Sequence, residues 1–375
     1  MAAEIAALPA RSLAAARCVC TAWRGIVDGR ALLRPHLLPR SVFGVFINYV
    51  DYRRPQYLFA RPCSSSSTMF PARVDGMLSF LPKNDRWRAL DHCNGLLLLC
   101  NIEWESQLCV CNPATRRWTV LPPHAHQMAD TATVVVPVPV RLERVIIDAW
   151  RSMEWPPSPW TLRVFSSRTG HWEERALVRE AMPAGTVREM RLSLSKGKYQ
   201  TIKAPANIEK AKPYLGKLHN SVCFGIVHDH QLKIWILHDS CGTMEWVLKC
   251  QVDVGYYAKF VGSTSGYNGS WKVEEDKYYA DDNVETLSEK SYEWDSDNDD
   301  TFTVNFHSQE DYSDHTFDIM GFHPYKEVVF LVEWFSVASY HLNTSKIQYL
   351  GYSRPKCYPR SFTNDIYMSR SFTLH

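Results

Sequence analysis

Leu108-Cys-Val-Cys-Asn-Pro-Ala-Thr-Arg-Arg-Trp118 is the stretch whose reading decides the fold. Leu108 to Cys111 is a short β-prone apolar run, Asn-Pro-Ala-Thr is turn chemistry, and an aromatic closes the return. The unit recurs as Leu162-Arg-Val-Phe-Ser-Ser-Arg-Thr-Gly-His-Trp172. It recurs again from Leu232 to Trp246 and, more weakly, from Val337 to Tyr349. The spacing is irregular, as it would be for propeller blades of about 40–50 residues carrying insertions. Unrelated hairpins in a β-sandwich are the competing reading. In either case the closing aromatic is expected to pack between sheets rather than on a ligand.

Working outward, the texture stays the same. Residues 42–49, 95–100, 107–111, 133–138, 144–149, 161–166, 221–227, 232–237, 301–306, 328–333 and 336–342 read as strands. One helix is expected inside this region, at Glu173–Met182, where helix formers cluster. Residues 41–375 therefore read as one large, mainly antiparallel β domain. An acidic run interrupts it. Between 281 and 318 lie Asp281, Asp282, Glu285, Glu289, Glu293, Asp295, Asp297, Asp299, Asp300, Glu310, Asp311, Asp314 and Asp318. Like charges at that density disfavour compaction, so a flexible insert is expected near 281–318. Its Asp295-Ser-Asp-Asn-Asp-Asp resembles the start of a calcium loop. It has Asp300 where the turn needs Gly and Phe306 where the ion needs a bidentate Glu.

The first 40 residues are different in kind. After a break at Pro9 and a cap at Ser12, Leu13, Ala16, Cys20, Trp23 and Val27 recur at helical steps, and Gly29 is a stop signal. A second short turn over Arg30–Leu38 is closed by Pro39. So short a segment cannot bury a core of its own. Its apolar face must dock on the rest of the chain or on a partner. A mitochondrial transit peptide is a third reading, since Arg11, Arg17, Arg24, Arg30, Arg34 and Arg40 face only Glu4 and Asp28.

Composition excludes several functions. A formal charge of +2 creates no general field for a polyanion, so no nucleic-acid partner is expected. No apolar run is long enough to span a bilayer, and no membrane partner is expected. The 11 cysteines are an odd number without a secretory signal, which reads as reduced thiols in the cytoplasm and/or nucleus. Cys109 and Cys111 share a strand face and could pinch a metal, but no second pair has zinc spacing. No metal or other cofactor is expected. His124-Ala-His126 and His228-Asp-His230 each put two imidazoles on one face if they lie in strands, without a third ligand. There is no phosphate-cradling P-loop, and Gly262-Ser-Thr-Ser-Gly266 has Thr264 where a nucleophile elbow has Ser. Catalysis would have to be assembled from scattered residues.

Four stretches carry a resemblance. Leu8-Pro-Ala-Arg-Ser-Leu-Ala-Ala-Ala-Arg-Cys-Val-Cys-Thr-Ala-Trp-Arg-Gly-Ile-Val27 resembles the central and C-terminal part of an F-box. His92-Cys-Asn-Gly-Leu-Leu-Leu-Leu99 and Cys111-Asn-Pro-Ala-Thr-Arg-Arg-Trp-Thr-Val-Leu-Pro122 resemble the Cys-Asn-Gly-Leu and Asn-Pro-x-Thr-x-x-Trp signatures of plant F-box-associated domains. Met320-Gly-Phe-His-Pro-Tyr-Lys-Glu-Val-Val-Phe-Leu331 resembles a late strand pair of those domains. The resemblance implies a partial F-box over 1–40, truncated at its N-terminal side, before an antiparallel β-propeller-like (kelch-like) domain over 41–375. It implies a non-catalytic substrate-recognition subunit of an SCF-type ubiquitin ligase. Such a subunit binds a Skp-type adaptor, and through it the cullin and RING subunits, while the β domain captures a target protein. By resemblance, Leu8, Pro9, Leu13, Val19, Cys20 and Trp23 form the adaptor-binding or F-box core set. The shortened F-box leaves an alternative, a β-propeller protein-binding module that no longer recruits the ligase.

Overall fold

The computed structural model describes residues 21–30, 32, 42, 44–49, 56–61, 74–82, 87–93, 95–101, 107–123, 133–136, 160–166, 169–179, 190–193, 198–202, 204–205, 212–218, 221–240, 243–263, 269–273, 316–355 and 366–372. These form 21 strands and two helices, a mainly β architecture. The strands fall into five sheets. Sheet 1 is built from β1 (Gly44–Tyr49), β2 (Gln56–Ala60), β16 (Lys272–Val273) and β21 (Ile366–Phe372), in the order β16-β2-β1-β21. Sheet 2 is the meander β3 (Trp87–Cys93), β4 (Leu96–Asn101), β5 (Leu108–Asn112), β6 (Arg117–Val120). Sheet 3 contains β7 (Thr133–Val136), β8 (Trp160–Ser166), β9 (His171–Arg179), β10 (Met190–Ser193) and β11 (Lys198–Thr201). Sheet 4 is the meander β12 (Tyr214–Leu218), β13 (Ser221–His228), β14 (Gln231–Ser240), β15 (Thr243–Asp253). Sheet 5 is β17 (Asp318–Phe322), β18 (Val328–Glu333), β19 (Ser336–His341), β20 (Lys346–Tyr352). The helices are α1 (Thr21–Gly29) and α2 (Gly255–Ser263).

All four repeated sequence units are antiparallel hairpins. Cys111 pairs with Trp118, Phe165 with Trp172, Leu237 with Trp246 and Ala338 with Tyr349. The antiparallel expectation fails in sheet 3, where β7 runs parallel to β8 and β11 parallel to β9. Parallel neighbours need a long return, and the chain between Val136 and Trp160 supplies one. The helix expected at Glu173–Met182 is also corrected: His171–Arg179 is β9. Its residues favour helix locally, but Trp172 stacks at a tilt on Phe165 (5.3 Å), and its indole N–H donates to the Pro122 carbonyl (2.8 Å). Tertiary packing overrides propensity there. Of the acidic run, Asp318 opens β17 and pairs with Lys212 (2.8 Å), so the insert does not extend to 318. The rest of that run up to 315 lies outside the described residues, as do the strands expected at 144–149 and 301–306.

Apolar clusters join successive sheets. Sheets 5 and 1 meet through Val328, Phe330 and Val337 against Val45, Ile47, Phe59 and Trp271. Sheets 4 and 5 meet through Leu232 and Ile234 against Leu331, Ala338 and Tyr340, with Tyr257, Ala258 and Val261 of α2 filling the same cluster. Sheets 1 and 2 meet through Phe46 and Leu58 against Trp87, Leu97, Leu99, Cys109 and Cys111. Cys100, Leu108 and Leu121 of sheet 2 and its flank meet Phe165 and Trp172 of sheet 3. Each fully buried large side chain contributes about 1.5–3 kcal/mol from burial. The seam between sheets 1 and 2 also has a polar tie. The Asn48 side chain donates to the Ala89 carbonyl (2.7 Å) and accepts from the Ala89 N–H (3.2 Å), copying a strand ladder with one amide group. At the sheet 1–5 seam the backbones nearly touch. A Cβ added to Gly351 (φ 154°) would strike the Trp271 carbonyl oxygen.

Candidate functional site

Of the six residues assigned by resemblance to the adaptor side, Leu8, Pro9, Leu13, Val19 and Cys20 lie outside the described residues. Trp23 lies in α1, half-buried. It packs with Ile26, Leu32 and the fully buried Val27. The described members of this cluster all come from the same short stretch of chain. Helical spacing brings Trp23, Ile26 and Val27 to one side. The helix ends at Gly29, where Arg30 N–H donates to the Ile26 carbonyl (3.2 Å) and Leu32 N–H to the Val27 carbonyl (3.0 Å). Leu32 is thereby folded back onto the apolar face, as in the hydrophobic closure of a helix C-terminus.

The Asn-Pro-Ala-Thr-Arg-Arg-Trp signature has a definite structural job. The Asn112 side-chain oxygen accepts from the N–H groups of Ala114 and Thr115 (both 3.0 Å), and Arg116 takes a left-handed φ of 56°. The motif therefore encodes the β5–β6 turn. Its Trp118 does not pack between sheets as expected; it lies 42% exposed on edge strand β6, beyond the reach of the core. Trp172 and Tyr349 do pack between sheets.

Cys109, Cys111, His228 and His230 each have a definite structural setting. Cys109 and Cys111 do share one face of β5, but that face is the sheet 1–2 core. Burial pushes the Cys111 thiol far above its ordinary range, with Cys109 adding to the shift. Burial likewise pushes Cys223 up to about 12 and raises Cys250. This is the reverse of the electropositive setting that makes a reactive thiolate. His228 and His230 do not share a strand face: His228 ends β13, and His230 sits with Asp229 in the hairpin turn, both turn residues at positive φ. His228 instead faces Asp229 (3.0 Å). His124 and His126 are outside the described residues. Among the described residues no three His, Cys, Asp or Glu side chains gather as metal ligands, and no helix is long and apolar enough to cross a membrane.

One surface feature was not singled out from sequence. Trp334 forms the tip of the β18–β19 hairpin, 58% exposed, at a φ of 57°. Its neighbour Phe335 is buried and fixed. The Phe335 carbonyl accepts from the Ser353 N–H (2.7 Å) and hydroxyl (2.9 Å), and the Arg354 guanidinium lies 5.4 Å over its ring. Tyr49 stacks on the same ring and donates to the Ser353 carbonyl. The backbone beside Trp334 is thus held at Phe335, while the indole itself is exposed. The only sequence signal was an aromatic pair between two β-prone runs. Compared with protein-family models and with curated proteins, the sequence finds no match.

Proposed function

We propose that this chain is the non-catalytic substrate-recognition subunit of an SCF-type ubiquitin ligase. Residues 1–40 engage a Skp-type adaptor and the β domain holds a target protein. The observation that carries this reading is the order of two independent signatures. An F-box-like Leu8–Val27 precedes Cys93-Asn-Gly-Leu96 and Asn112–Trp118. The small Trp23–Leu32 cluster supports it, because its described members are distinct from those that join the sheets. The physical task is to raise the effective concentration of a target beside the ligase. The test is a pull-down of the chain with a Skp-type adaptor. Binding that disappears in Leu13→Asp plus Trp23→Asp is the expected result. Retained binding by the folded double variant breaks the reading. A chain that captures a target but never an adaptor would instead be the β module without ligase recruitment.

The same proposal includes a propeller-like closure of the five sheets. It is supported by the clusters that link sheets 4 to 5, 5 to 1, 1 to 2 and 2 to 3, and by β1 and β21 pairing in one sheet. Removing residues 366–372 should then destabilise sheets 1, 2 and 5 together. Loss of sheet 1 alone would argue for independent packed sheets.

A further inference from the structure

Two turns in this chain have the same hydrogen-bond pattern but different acceptors. In Asn112-Pro-Ala-Thr115 the side chain before proline accepts the N–H groups two and three residues on, at 3.0 Å each. In His323-Pro-Tyr-Lys326 the imidazole Nδ1 accepts the N–H groups of Tyr325 (3.1 Å) and Lys326 (3.0 Å), again two and three residues on. An amide oxygen accepts at every ordinary pH. An imidazole nitrogen accepts only while it is unprotonated.

We propose that the His323–Lys326 turn, between β17 and β18 of sheet 5, is an acid-sensitive latch, and that the Asn112 turn is its pH-insensitive counterpart. His323 is 1% exposed and its ring stacks on Phe330 at 6.4 Å, so the ring cannot swing out to water without unpacking. A proton on Nδ1 would place a third N–H against two N–H donors and orphan both. Both donors are part-buried, so orphaning them costs stability. The frame beyond the ring is continuous. His323 N–H donates to the Val328 carbonyl (2.9 Å) and Val328 N–H to the Lys326 carbonyl (2.8 Å). Between them Glu327 reaches Lys249 of β15 (2.9 Å), and its carbonyl accepts Leu342 N–H (2.9 Å). Opening the turn therefore loosens the ion pair that ties sheet 5 to sheet 4.

Among the described residues, these charged and titratable groups lie on the turn and on the elements packed near it. Tyr325 (6.3 Å between rings), Lys326 and Glu327 are on the turn itself. Lys249 comes from β15 against Glu327, and His341 of β19 pairs with Val328. β21, which lies beside β17, carries Arg370 in its sequence. Glu327 is the carboxylate that would favour a charged ring, and Lys249 already engages it.

The sign follows from the bonding. The folded state holds the ring neutral, so the unfolded or opened state takes up the extra proton. Stability is complete above the ordinary imidazole value of about 6.5 and falls as pH drops below it. Amide hydrogen exchange of the whole chain tests this locally. Corrected for intrinsic rates, protection of Tyr325 and Lys326 should fall roughly tenfold per pH unit below about 6.5, while that of Ala114 and Thr115 holds. His323→Asn keeps an acceptor and should remove the acid step. An equal response at both turns, or an unchanged acid step in His323→Asn, overturns the proposal. If that variant does not fold, nitrogen NMR of labelled histidine in the native chain decides. An Nε2–H tautomer for His323 at neutral pH is required, and an Nδ1–H ring overturns it.

Discussion

Sheet 5 and sheet 4 carry similar meanders into different environments. Sheet 5 is covered on both faces, by sheet 4 through one cluster and by sheet 1 through another, and every residue of β18 and β19 is buried. Its polar residues are drawn inside with the rest: Glu333, Ser336, Ser339, His341 and Gln348 are all buried. In sheet 4 the outermost strand β15 leaves Glu245, Val247, Leu248 and Lys249 exposed, and a register shift against β14 at Ile234/Trp235 breaks its alternation. A strand between two neighbours reads as a continuous apolar run, whereas an outer strand is free to vary.

The comparison breaks first at the core. Phe330→Ala should cost about 3–5 kcal/mol and Val247→Lys less than about 0.5, measured as urea midpoints at unchanged slope. Similar costs at both positions would mean that sheet 4 is as fully enclosed as sheet 5. Asn48→Ala tests the polar seam of sheets 1 and 2. It leaves the Ala89 N–H and carbonyl unanswered and should cost about 1–3 kcal/mol, with Asn48→Leu no better. Alkali sharpens the contrast between thiols. Burial raises Cys223 to about 12 in the folded chain. Its contribution to stability is therefore complete below its ordinary value of about 8.5 and is lost as pH rises through about 12. Cys223→Ala should flatten that alkaline decline, and a titration curve that Cys223→Ala leaves unchanged would assign it to Cys111, Cys250 or the tyrosines that burial also raises, Tyr257, Tyr340 and Tyr349. The smallest effect is at the β13–β14 turn. Asp229 and His230 occupy positive-φ positions of a two-residue hairpin, so Asp229→Asn with His230→Gly should add about 0.4–1 kcal/mol.

These environments explain what could be read in advance. Val328–Glu333 was legible residue for residue because burial on both faces wrote an unbroken β-branched and aromatic run. The return of β15 through Trp246 was legible from the repeated unit, but its continuation to Asp253 was not, because its sequence mixes Glu, Lys and apolar residues around the register shift. β9 was misread because Glu173-Glu-Arg-Ala-Leu177 favours helix wherever no partner strand is available, and β8 is one. Helix α2 was not anticipated; the Asp253 side chain accepts the Gly255 N–H (2.9 Å) at its start. The turn signature at Asn112 was visible as a motif, and its cause is a pair of hydrogen bonds. Trp334 was hidden because the residue beside it, Phe335, is held by remote Tyr49 and Ser353, and His323 because its ring gains its role from two backbone N–H groups of its own turn and from Phe330.

The composition of sheet 1 has a consequence for how the chain is made. Gly44 of β1 pairs with Ala60 on one side and with Phe372 on the other. A ribosome adds about 5–20 residues per second, so β1 emerges tens of seconds before the strand that covers its second edge. Throughout that interval its amides and carbonyls face outward on an apolar strand, an arrangement that invites pairing with the wrong chain. Synthesis of this protein therefore has a vulnerable window that closes only when β21 is made, and its yield in a cell should depend on a chaperone able to hold residues 44–49 until then.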